Sequence, residues 1–149
     1  MKATEIWSVV QAASAAIGAA LGYFIGGLDG ALYALIAFVC ADYLTGVFAA
    51  FIRKELSSEI GAKGILKKVT IFIVIGVGNL ADIYLLNDGS ALRTATIFFY
   101  AANELVSLIE NCATIGLPVP QVIRDALTQI KRKSGEKPEE NRKDDNENE

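Results

Sequence analysis

The chain reads as an all-α integral membrane protein with three to four transmembrane helices, and three observations carry that reading. The 149 residues are 52% hydrophobic although 21% are charged. The charges are segregated: only Lys2, Glu5, Asp29 and Asp42 precede Arg53, whereas ten lie between Ser134 and Glu149. The apolar stretches left between them are about as long as a helix needs to cross ~30 Å of hydrocarbon at ~1.5 Å per residue. The net charge of −3 averages these regions and identifies no partner.

The first stretch, Ile6–Gly27, contains Gln11 as its one strongly polar side chain. Its start resembles a signal peptide, but the apolar run is too long and a second follows at once, so a retained anchor is expected. Leu28-Asp29-Gly30 supplies turn residues. The second stretch, Ala31–Ile52, completes an N-terminal helical hairpin. Asp42 is the one formal charge in this second stretch and sits at its midpoint. A charge at that depth costs roughly 2.5–3.5 kcal/mol on insertion scales, and such groups usually face a bundle interior or water.

Residues 53–68 carry Arg53, Lys54, Lys63, Lys67 and Lys68 against Glu55 and Glu59. So basic a loop beside a span is expected on the cytoplasmic side. Ser57 or Ser58 is placed to cap a short helix there, and Gly61 and Gly64 either break it or permit close packing. The third span is expected over 69–86, with Asn79 near its centre, followed by the turn Asn87-Asp88-Gly89-Ser90.

A fourth helix is expected over 91–115. Arg93, Thr96, Tyr100, Asn103, Ser107, Glu110 and Thr114 recur at alternating spacings of three and four, which is one polar stripe, with Glu104 and Asn111 beside it. Such a helix either spans with its stripe turned inward or lies in the interface. The charge rule favours spanning, because Lys131–Lys133 then return to the cytoplasm with the N-terminus. Gly116-Leu117-Pro118-Val119-Pro120 ends the helix. A short amphipathic helix is expected over 121–133, and the charged tail 134–149 is expected to be disordered. Residues 1–133 form the membrane domain.

Two constellations stand out. Ser14, Gly18, Gly22 and Gly26 make a ladder of small residues at the spacing that lets helix backbones approach in lipid, within a chain or between chains. Asp42, Asn79, Asn103 and Glu104 are expected at similar depth as a polar layer, which either clasps the helices or lines water. The stripe from Arg93 through Ser107 and Glu110 could line the same path. No histidine is present. No metal-ligand spacing, phosphate-binding loop or nucleophile–base pair appears, so the reading is a non-enzyme with no cofactor and no nucleic-acid partner. Cys40 and Cys112 lie in apolar stretches and are expected to be buried and reduced.

These pieces, in order, resemble the phage lysis and toxin-secretion holins of Gram-positive bacteria and their phages. The resemblance rests on Asp42-Tyr43-Leu44-Thr45-Gly46, Leu56-Ser57-Ser58, Gly61-Ala62-Lys63-Gly64 with Lys67-Lys68, and Leu92-Arg93-Thr94. It continues through Tyr100-Ala101-Ala102-Asn103-Glu104, Ser107, Glu110-Asn111 and Gly116-Leu117-Pro118-Val119-Pro120, so that it covers roughly residues 20–133. It implies a homo-oligomer in the bacterial cytoplasmic membrane, opening lesions through which an endolysin or a large toxin passes as a passenger. Family members are often described with three spans, whereas up to four are counted here. A narrow ion channel and a non-permeabilising, antiholin-like regulator are the competing readings. No internal repeat of the transporter kind is present.

Overall fold

A computed structural model of the chain describes residues 3–87 and 89–134, and those residues contain helices and no strand. The order is α1 (Ala3–Ile25), α2 (Gly30–Ile52), α3 (Ser58–Ala81, prolonged by a π-helical turn Asp82–Leu86), α4 (Ala91–Ile115) and α5 (Gln121–Ser134). Among the described residues, three helices, Thr4–Ile25, Gly30–Ile52 and Ser58–Leu86, are long and apolar enough to cross a membrane. The tail expected to be disordered lies outside the described residues, apart from Ser134 at the end of α5.

Local chemistry sets the helix ends. Asp29 is extended and its carboxylate accepts from the Leu32 N–H at 2.8 Å, capping α2. Ser57 does the same for α3 through the Ile60 N–H at 3.2 Å. Each cap satisfies one of the donors that a helix start leaves without an intrahelical partner. Between α1 and α2 the chain reverses through Gly26 and Gly27, both with φ above +80°, a conformation that costs glycine nothing sterically.

The third helix departs from expectation. It starts at Ser58, well before Val69, so most of the basic stretch is helix and the connection to α2 shrinks to residues 53–57. Gly61 and Gly64 do not break it. They lie against Tyr43, whose ring is 3.5 Å and hydroxyl 3.9 Å from where a Cβ on Gly64 and Gly61 would sit.

Side-chain partners fix the helix directions. Asp29 meets Arg93 near the starts of α2 and α4, and Arg53 donates to Thr114 at 2.9 Å near their ends. The two helices are therefore parallel and co-extensive, and they form the most extensive helix pair. α3 runs antiparallel to both, since Lys68 reaches Asp42 and Glu104 while Gly78 abuts Leu92 and Arg93. Leu32, Leu35, Val39, Ile71, Ile75 and Ile97 build the apolar core in the half of the bundle nearer the 26–29 and 87–90 turns. Large apolar side chains such as Leu44, Phe48, Ile73, Val77 and Phe98 point outward, as a lipid-facing surface requires.

α1 is attached only at its C-terminal end. Residues 4–21 are exposed, and nothing lies within 4 Å of where a Gly18 or Gly22 Cβ would be. Of the small-residue ladder Ser14, Gly18, Gly22 and Gly26, only Gly26 is packed, against Asn79 and Arg93, so the ladder is not a packing face within the chain. The attachment itself is close. The Phe24 ring occupies the notch at Gly76, where an added Cβ would lie 2.0 Å from a ring carbon. Gly76→Ala should destabilise the protein by about 1–3 kcal/mol by overpacking. Adding Phe24→Ala should restore most of it, as read from unfolding midpoints in detergent.

Candidate functional site

The polar side chains expected to share one layer separate into two clusters at different depths. The first is central. Asp42 stands twelve residues into α2, Lys68 ten into α3 and Glu104 thirteen into α4, so all three lie roughly 15–20 Å from their helix starts. The Lys68 ammonium donates to Asp42 Oδ2 and to Glu104 Oε2, with side-chain exposures of 13%, 9% and 8%. The Asn111 amide donates to Asp42 Oδ1 at 2.9 Å and also approaches the Asp42 carbonyl and Thr45 Oγ1, both at 3.3 Å. Among the described residues no buried side-chain nitrogen or oxygen lacks a partner. Two carboxylates share one ammonium here, and burial of that kind is tolerated only when the ions are paired and hydrogen-bonded.

Lys68 is the correction to the basic loop. Arg53 and Lys54 do lie at the end of α2, and Lys63 and Lys67 are exposed on α3, but Lys68 turns into the bundle. Two carboxylates in apolar stretches call for a cation, but nothing local in the sequence singles out Lys68 from Lys63 and Lys67.

Beside this cluster a cleft of about 800 Å³ opens between α2, α3 and α4. Asn103, Ser107 and Glu110 line it together with Asp42, Tyr43, Lys67, Lys68, Glu104 and Asn111. Gly46 also lines it, with the Asn111 amide 3.5 Å from where a Gly46 Cβ would sit. The cleft extends from Leu56 and Ile60, at the basic end, to Ile71 and Phe99, where the apolar core begins. The α4 stripe is thus divided: Arg93 and Glu104 are buried, whereas Asn103, Ser107 and Glu110 face the cleft.

The second cluster lies at the opposite end. Arg93 is 4% exposed and donates to Ile25 O at 2.6 Å, Gly27 O at 2.9 Å and Asp29 Oδ2 at 2.6 Å. The sequence marks Asp29 only as a turn residue; in the fold its Oδ1 caps α2 and its Oδ2 accepts from Arg93. The Arg93 guanidinium, then the Leu32 N–H, holds its carboxyl below the usual carboxylate range. Asn79 belongs to this cluster and not to the central one: its amide donates to Tyr23 O and Phe24 O, both at 3.1 Å. Buried Asp82 accepts from the Leu92 and Arg93 N–H groups at 3.0 and 2.8 Å and so holds the start of α4. Both cysteines are free. Cys40 is exposed on the outer face of α2 rather than buried, and Cys112 is partly buried.

Lipid-facing helices that enclose an apolar core, a buried ion cluster and a cleft lined in part by polar side chains define a small membrane protein with charged groups in its interior. Its sequence relatives specify the class further. A sequence profile of the bacteriophage holin family matches residues 19–132. The chain is 40% identical over 127 residues to an uncharacterised protein of Listeria monocytogenes, covering 85% of this chain and 90% of that one. It is 38% identical over 127 residues to a 14.9 kDa protein encoded beside nagH in Clostridium perfringens, covering 85% and 92%. It is also 40% identical over 98 residues to a probable holin of Bacillus phage phi105, covering 66% and 72%. The chain belongs to the bacteriophage holin family. No solved structure matches it.

Proposed function

We propose that this protein is a permeabilising holin. It accumulates in the bacterial cytoplasmic membrane, self-associates and opens lesions that release an endolysin or a large toxin. The observation that supports this reading best is the Asp42–Lys68–Glu104 cluster, buried at mid-depth beside a polar cleft in a member of the holin family. α4 is the fourth span in this reading, because it is co-extensive with and parallel to α2. The turns at 26–29 and 87–90 then face outward, and the basic end, the N-terminus and the C-terminal tail are cytoplasmic.

In the packed chain the Lys68 ammonium is shared by the Asp42 and Glu104 carboxylates, and the surface turned to lipid is predominantly apolar. When copies assemble, α4 moves relative to α2 and α3. Asp42, Lys68, Asn103, Glu104, Ser107 and Glu110 then gain water, which relieves their desolvation and couples opening to assembly. Arg93 stays with the α1–α2 turn, outside the wetted path.

The test is induced expression with a cytoplasmic endolysin, following membrane potential and enzyme release. Abrupt depolarisation followed by endolysin escape is expected, with a changed onset for Asp42→Leu at an equal membrane level. Depolarisation without protein escape would identify a narrow ion channel. No effect would identify a non-permeabilising regulator. Unchanged onset in Asp42→Leu would remove the cluster from the mechanism.

A further inference from the structure

The basic, amphipathic α5 keeps its described side chains out of the bundle. Val122 is 79% exposed, Ile123 is 38% exposed, and every described side chain from Gln121 to Ala126 faces outward. At 100° per residue, Val122, Ile123, Ala126, Leu127 and Ile130 fall within an arc of about 140°. Of these, Val122, Ile123 and Ala126 are the described side chains, and all three are exposed. The helix carries Arg124, Lys131, Arg132 and Lys133 against Asp125 alone.

The connection fixes where α5 begins. Five residues, Gly116 to Pro120, separate it from α4, and five residues reach at most about 17 Å. The end of α4 is level with the end of α2, since Arg53 bonds Thr114. α2 is long and apolar enough to cross a membrane, so its end marks the bilayer surface. α5 therefore starts within the headgroup region or next to it. Arg53, Lys54, Lys63 and Lys67 lie at the same end of the bundle.

We propose that α5 lies in the plane of the membrane on an anionic leaflet, its apolar face between acyl chains and its basic residues among anionic headgroups. An apolar arc set against a basic polar face is the composition that binds such a surface, and juxtamembrane basic groups are drawn to its negative potential. The cleft between α2, α3 and α4 is a poorer seat, because its lining brings the paired Asp42, Lys68 and Glu104 charges as well as apolar side chains against the apolar arc.

The test uses the full chain with Cys40→Ala and Cys112→Ala, carrying an environment-sensitive fluorophore on Val122→Cys or on Asp125→Cys. Both positions are exposed, so neither label disturbs the bundle. The protein is reconstituted in phosphatidylcholine vesicles or in mixtures with phosphatidylglycerol, with bromine on the acyl chains as quencher. In the mixed vesicles, quenching at position 122 is expected to be several-fold stronger than at 125. That difference should weaken in phosphatidylcholine alone, at high salt, and in the variant Arg124→Gln/Lys131→Gln/Arg132→Gln/Lys133→Gln. Equal quenching at the two positions overturns the in-plane placement. Quenching indifferent to lipid charge and to the four substitutions overturns the anionic-surface assignment. A label at 122 shielded from both bromine and aqueous iodide overturns the proposal in favour of a protein seat, either the cleft or a second copy.

Discussion

Replacing Lys68 with methionine is expected to lower stability by about 3–5 kcal/mol, the usual effect of removing one partner from a buried ion cluster. The substitution keeps most of the stem volume, so the loss is electrostatic rather than a cavity. Asp42 and Glu104 would then be left on facing helices, with Asn111 as the remaining donor to Asp42. Two facing carboxylates without a counter-ion repel each other, which drives α2 and α4 apart. Unfolding of the purified protein in mixed micelles reads the loss. Lys68→Met combined with Asp42→Asn and Glu104→Gln should recover most of it, because the amides demand no cation. A single variant as stable as the parent would show that the cluster contributes nothing to packing.

Arg93→Met is expected to have the second largest effect, about 3 kcal/mol. Arg93 makes two bonds to main-chain carbonyls and one to Asp29, and bonds to charged groups are worth roughly 1.5–3 kcal/mol each. The sum is reduced because Asp29 is half-exposed and regains water. Arg93→Lys should restore less than half, since one ammonium cannot match the fork that bonds the α1 end, the turn and the α2 cap together. Hydrogen exchange localises the effect: amides at the end of α1 and the start of α2 should lose protection, while those around Asp42 keep theirs.

The helical segments were legible because their apolar length and turn residues are local properties. Asp42 was legible for a related reason, as a lone charge in an apolar stretch is conspicuous. Lys68 was not. At the margin of a basic run it has the same local signature as Lys63 and Lys67, and only the packing of α3 against α2 and α4 distinguishes it. The misplacement of Asn79 follows from the same boundary. A span of 69–86 puts Asn79 near its centre, but a helix that begins at Ser58 carries it toward the far end, onto the α1 terminus. Spacing alone groups Arg93 and Glu104 with Asn103 along one side of α4, yet their partners come from three other segments. Such long-range choices are set by tertiary packing and leave no periodic trace in the chain.

The apolar core has a consequence for the barrier that one chain presents. Leu32, Leu35 and Val39 on α2, with Ile71 and Ile75 on α3, close the bundle over only about two helical turns, or ~10 Å. Below that level the polar cleft takes over, and at the other end the Arg93 cluster does. In the proposed holin reading, a rearrangement of α4 need only pull apart this short plug of side chains to join the cleft to the opposite end of the bundle.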